Sequence, residues 1–151
     1  MPKTLSHRND AGFSLIEMLI TVVILGILTS IVFVAVGGAT RNAAIKSCTT
    51  DWNTVNVASN GWINDNLTTT WSGSTDLYSN ASGTLPQLGY MNPLPDPVTN
   101  NSPYRIKLSW DTSITPAKPV IGVYDKTGTT QLKNSTAASP TNTWDDCKGI
   151  Q

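Results

Sequence analysis

The chain has 151 residues, ten basic and ten acidic side chains, and a net charge of zero. The length suggests one domain. The absence of a basic excess argues against electrostatic steering to nucleic acid or to an anionic lipid surface.

Residues 1–12, MPKTLSHRNDAG, are polar, and an apolar stretch follows directly. From Met18 to Thr40 no charged residue occurs over 23 positions. A bilayer core needs roughly 20 apolar helical residues. Glu17, the only glutamate in the chain, stands at the lip of this run. A carboxylate dragged to the bilayer centre costs up to about 3 kcal/mol, so an acid at such a place is a functional candidate by default. The small residues Ala11 and Gly12 precede the run, whereas a secretory signal places its cleavage site after it. Cleavage here would leave the apolar run on the mature chain; an uncleaved signal anchor is the alternative. Lys3 and Arg8 lie before the run, Arg41 and Lys46 after it, so the positive-inside rule gives a tie. An N-terminus inside is chosen because the Asn-, Thr- and Ser-rich remainder reads as exported.

The helix does not stop with the apolar run. No proline lies between Pro2 and Pro86. Ile45, Cys48, Trp52, Val55, Ser59 and Trp62 recur at steps of three and four, while Lys46, Thr50, Asn53, Asn60 and Asn64 form a polar face. That is an amphipathic stripe. One helix of roughly 50 residues, about 75 Å long, is therefore predicted to about residue 66. Gly26, Gly37, Gly38 and Gly61 are its weak points, each costing about 1 kcal/mol against alanine.

Residues 67–103 read as loop, ending in the proline-rich NPLPDPVTNNSP, which neither helix nor central strand accepts. Leu85, Leu88 and Tyr90 are predicted to pin it down. Tyr104, Ile106, Leu108 and Trp110 then alternate with polar residues, the pattern of a half-buried strand. Val120–Asp125 reads as a second strand, Asp125–Gly128 as a turn, and 129–133 as a short third strand. The tail to Gln151 is loop anchored by Trp144 and Cys147. A small sheet with one apolar face needs a cover, and the amphipathic half of the helix supplies it. The fold class is α+β: a long N-terminal helix on a small antiparallel sheet.

Cys48 and Cys147, 99 residues apart with no CxxC, fit either a single disulfide or two separate buried thiols. Cys48 lies on the apolar stripe, facing the sheet, from where it could reach the tail. Trp52, Trp62 and Trp110 are assigned to core packing and Trp71, in TTTWSGS, to the surface. Asp145 and Asp146 read as a solvated turn; calcium there would want about six to eight oxygens, which no loop pattern provides. No metal site or cofactor is assigned.

The stretch GFSLIEMLITVVILGIL, residues 12–28, resembles the processing motif of type IV pilins and of the related pseudopilins of type II secretion and DNA-uptake machines. Gly12, Phe13 and Glu17 match it in type and spacing, and the match is close over about residues 11–36. The resemblance implies that a prepilin peptidase cuts between Gly12 and Phe13 on the cytoplasmic side and N-methylates Phe13. Glycine suits a tight protease cleft because it has no side chain. It implies a leader at 1–12, a transmembrane and assembly segment at 13–40, and an exported domain at 41–151. Glu17 would meet the Phe13 amine of a neighbouring subunit, since two charges in a low dielectric are tolerable only when paired. Many pilins have a proline in the second half of the apolar run; this chain has none.

The function expected is that of a structural pilus subunit, with a pseudopilin or a non-polymerising membrane-anchored surface domain as alternatives. The expected partners are further copies and related pilins, the peptidase, the inner-membrane assembly machinery and the membrane, with no nucleic acid. The expected location is the cytoplasmic membrane as precursor and then a surface filament. Catalysis by this chain is not expected: its single histidine, His7, would leave with the leader, so no Ser-His or Cys-His pair is available.

Overall fold

The computed structural model describes residues 13–134, 136, 139 and 141–151. Gly12 lies outside them. The chain divides into two units between Ala39 and Thr40. Helix α1, Leu15–Asp65, contributes to both.

Within the first unit, the described apolar side chains of α1 face outward. Leu15, Ile20, Leu25, Ile31 and Val36 are all exposed. The helix is long and apolar enough to cross a membrane by length and composition.

Within the second unit, the stripe is buried as the spacing predicts. Cys48, Val55, Ser59 and Trp62 are buried, Ile45 and Trp52 half-buried, and Lys46, Thr50, Asn53, Asn60 and Asn64 exposed. Threonine and serine are mediocre helix formers because their hydroxyls compete for backbone. Here Thr49, Thr50, Thr54 and Ser59 donate to the carbonyls of Ile45, Lys46, Thr50 and Asn56 at 2.9–3.0 Å, inside the helix. The helix ends where Asn66 turns back: its side-chain amide donates to the Trp62 carbonyl at 2.9 Å, satisfying one of the orphan acceptors of the last turn.

Strands β1 (Tyr104–Asp111) and β2 (Lys118–Asp125) form a two-stranded antiparallel sheet with Leu108 opposite Ile121. Tyr104, Ile106 and Leu108 are buried, as are Ile121 and Val123. The helix covers this face: the Trp52 indole N–H donates to the Ile121 carbonyl at 3.4 Å. β2 starts earlier than predicted. Pro119 stands opposite Trp110 at an outward-facing position of the ladder, so its missing N–H removes no ladder bond. The predicted third strand is corrected to one isolated bridge, Tyr124 with Gln131. Leu132 still donates to the Val123 carbonyl at 2.8 Å. By Asn134 the chain has turned to the C-terminal segment, where its amide meets Asp145 at 2.6 Å.

The loop carries much of the core. Leu77, Thr84, Leu85 and Leu94 are buried, whereas Leu88 is exposed. Trp71 is also buried, at 7% exposure, which corrects its assignment to the surface. Its ring stacks on Trp110 with centroids 4.6 Å apart, and Trp62 meets both edge-on at 4.9 and 5.1 Å. Gly73 makes this burial possible. A Cβ there would fall 2.3 Å from the Gly83 carbonyl and 2.7 Å from the Trp71 ring, so only glycine lets the two loop segments close.

The tail forms a 3-10 helix, η1 (Trp144–Gly149), capped by the Thr143 hydroxyl. Trp144 is exposed and does not anchor it. Asp146 is fully buried rather than solvated. Its carboxylate accepts from the backbone of Thr141 and Asn142 at 2.8–3.1 Å, which is how a buried charge is tolerated.

Candidate processing and assembly site

The site begins where the helix begins. Phe13 and Ser14 precede α1, and the N–H groups of Glu17 and Met18 both donate to the Ser14 carbonyl, at 3.1 and 3.2 Å. Glu17 is therefore the acid of the first turn, four residues and about one helical turn beyond Phe13. The positive end of the helix dipole favours a carboxylate there by about 0.3–1 kcal/mol. Ser14 and Glu17 also have the Ser-x-x-Glu spacing of a capping box. That signal lies in the sequence and gives Glu17 a local reason for its position, one that a reading in terms of membrane charge alone passes over.

The surroundings are apolar and open. Phe13 is 77% exposed, and Leu15, Ile16 and Met18 are exposed beside it. Farther along the first unit, the Thr21, Thr29 and Ser30 hydroxyls return to their own helix. Thr21 donates to Met18, Thr29 to Leu25 and Ser30 to Ile27, at 2.6–2.8 Å. A helix that satisfies its polar groups internally suits lipid or the packed interior of an assembly. Gly26 and Gly38 have open space where a Cβ would stand.

The second unit holds the cysteines. Cys48 and Cys147 are joined, with S–S 2.02 Å and Cα atoms 5.8 Å apart. Next to them the Arg41 guanidinium donates to the carbonyls of Ile150 and Lys148 at 2.9 and 3.2 Å. Helix and C-terminal segment are thus tied twice, by a covalent bond and by charge-assisted hydrogen bonds. In the sequence Arg41 is only a charge beyond the apolar run; its partners lie over 100 residues away, and no local pattern announces them.

A second feature, absent from the sequence reading, is a hydroxyl and carboxylate cluster between α1 and β1. The Tyr104 hydroxyl donates to Asp51 Oδ2 at 2.6 Å and lies 2.9 Å from the Ser47 hydroxyl. Burial pushes the Asp51 carboxyl up from its ordinary range, against the opposing pull of the Tyr104 hydrogen bond. Burial also raises the Tyr104 phenol, and the neighbouring Asp51 raises it further. Beside this cluster, along the same cleft, the Tyr78 hydroxyl accepts from the Ile106 N–H and donates to the Ile106 carbonyl, both at 2.8 Å. It thereby occupies part of the free edge of β1. Among the described residues, no group of three or more His, Cys, Asp or Glu is placed to hold a metal ion.

Comparison with known proteins adds one finding. Residues 7–33 match the family model of the prokaryotic N-terminal methylation motif. This is the type IV pilin and pseudopilin signature, and it contains Gly12, Phe13 and Glu17. No curated protein and no solved structure matches the chain. The motif supports a pilin-like or pseudopilin protein, of a structural rather than enzymatic kind. It implies processing by a prepilin peptidase and assembly into pilus-like filaments. Together with the apolar helix it fits a membrane-anchored precursor that is later surface-exposed.

Proposed function

We propose that this chain is the structural subunit of a type IV pilus or a closely related filament. The peptidase cuts between Gly12 and Phe13 and methylates the new amine. Residues 13–40 hold the subunit in the cytoplasmic membrane with the N-terminus inside, then form the contact between subunits in the filament. Residues 41–151 are exported and displayed. The observation that carries this reading is the methylation motif at 7–33, in register with an exposed apolar helical segment, residues 15–39, whose single acid is Glu17.

Glu17 is assigned to assembly. Cleavage creates a positive amine at Phe13 beside lipid, and a neighbour's Glu17 can neutralise it. A charge pair of this kind favours one axial register over others, because any slip leaves both charges unpaired in a low dielectric.

The test has two parts. Mass spectrometry of material sheared from cells should find a peptide that starts at Phe13 and carries one added methyl. Glu17→Ala should be cleaved as before yet enter filaments at least tenfold less. A chain that starts at Met1 and stays in the membrane would replace this reading with that of a plain anchor. Normal filament yield from Glu17→Ala would remove the assembly role while leaving the processing intact.

A further inference from the structure

A cleft of about 440 Å³ opens in the second unit beside α1, lined by Ala43, Ser47, Asp51, Leu94, Pro97 and Tyr104 among others. Its volume lies in the range of small-ligand sites. At its base is a half-buried carboxylate with one committed oxygen. Asp51 Oδ2 accepts from Tyr104 at 2.6 Å. Oδ1 has no hydrogen-bond partner among the described residues and is not sealed from solvent. No cation neutralises Asp51 either: the ion pair found among the described residues joins Lys148 to Asp145. Two cations stand at the cleft walls with partners other than Asp51. Arg105 lies over the Tyr78 ring at 5.2 Å, and Lys126 is bonded to Asn101 Oδ1 at the rim.

We propose that this cleft binds a primary ammonium group, with its nitrogen on Asp51 Oδ1 and its alkyl stem along Leu94 and the exposed Pro95. The chemistry separates this ligand from other cations. A guanidinium is matched by two parallel carboxylate oxygens, and here Tyr104 holds one of them. A calcium ion wants about six to eight oxygens, and this cleft offers one carboxylate. An ammonium is a compact charge on an apolar stem, so it needs one strong acceptor and apolar walls. The source is either a lysine side chain of another protein chain or a free alkylamine. The site itself does not depend on filament assembly.

The test uses the full chain in detergent micelles, titrated with n-butylammonium and followed by amide NMR. Saturable shifts centred on Ala43, Ser47, Asp51 and Tyr104 are expected, with none from butyrate and weaker ones from butylguanidinium. Asp51→Asn should weaken the response about tenfold or more, the loss of one charge-assisted hydrogen bond. Ala43→Leu, which fills the cleft from an exposed helix position, should weaken it with Asp51 and Tyr104 untouched. Absence of saturation, or an unchanged response in both variants, overturns the proposal; guanidinium binding as well as ammonium overturns the assignment of the ligand. Carbodiimide treatment of sheared material then identifies the source. An amide bond between Asp51 and a lysine of a second chain, formed with loss of water, identifies a lysine side chain. Butylammonium binding without such a link identifies a free amine.

Discussion

The two parts of helix α1 share a backbone geometry and almost nothing else. Residues 15–39 have no charge after Glu17 and expose the large apolar side chains described there; residues 40–65 bury a single stripe against the sheet and loop. In the second part, the positions of the apolar residues matter, because each meets a particular partner: Val55 in the core, Trp62 against Trp71 and Trp110, Cys48 bonded to Cys147. In the first part apolar character is nearly uniform around the helix, and the singular residue is the charged one. A helix in water derives most of its stability from packing one face. A helix destined for lipid or a subunit interface needs only to satisfy its own backbone.

Substitutions of like chemistry in the two parts sharpen the contrast. The largest effect belongs to the disulfide. Cys48→Ser with Cys147→Ser opens a loop of 99 residues and should destabilise the second unit by about 4.7 kcal/mol on the chain-entropy model, measured by urea denaturation followed through tryptophan fluorescence. Next, Leu85→Ala empties a fully buried site and should cost about 2–5 kcal/mol in the same assay. Leu25→Ala, at an exposed site, should leave that transition unmoved. An equal loss from both would erase the distinction between the regions.

Two glycines give a smaller pair with opposite signs. Gly73→Ala forces a Cβ against the Gly83 carbonyl and the Trp71 ring and should cost about 1–3 kcal/mol by overpacking, with a shift in tryptophan emission. Gly26→Ala meets nothing within 4 Å and should strengthen the helix by about 1 kcal/mol, read as slower amide exchange around residue 26.

The smallest effect is a pH dependence at Asp51. Its carboxyl is raised in the folded chain, chiefly by burial. Ionisation is therefore harder in the folded than in the unfolded chain. The protonated form is fully favourable below the unfolded value of about 3.9, and stability falls as pH rises through the folded value. Asp51→Asn should thus be slightly more stable than the parent at pH 7, with the advantage shrinking towards pH 3. A parent more stable than the variant at neutral pH would show the Tyr104 hydrogen bond outweighing desolvation.

How much was legible follows from the range of each signal. The helix, its stripe and β1 were readable because period 3.6 and period 2 are local and repeat over many residues. The processing motif was readable because Gly12, Phe13 and Glu17 lie within six consecutive positions. Trp71 was misplaced because its neighbours in sequence are polar, while its neighbours in space come from α1 and β1. Asp146 read as solvated because the groups that satisfy it, the N–H groups of Thr141 and Asn142, belong to every residue and leave no mark in composition. The predicted third strand shrank to one bridge because five residues of β-compatible sequence do not say where the chain turns next.

The sequence by itself determined a helical run of membrane length whose one charge is an acid in its first turn, and a polar remainder with a single amphipathic stripe. These are properties of residue type and spacing, fixed before any long-range contact forms. Tertiary structure alone decided the pairing of Cys48 with Cys147, the burial of Trp71 and Asp146, and the meeting of Asp51 with Tyr104 in an open cleft. Each depends on loop closure across tens of residues, where many pairings are available to the chain and packing with hydrogen-bond satisfaction selects one.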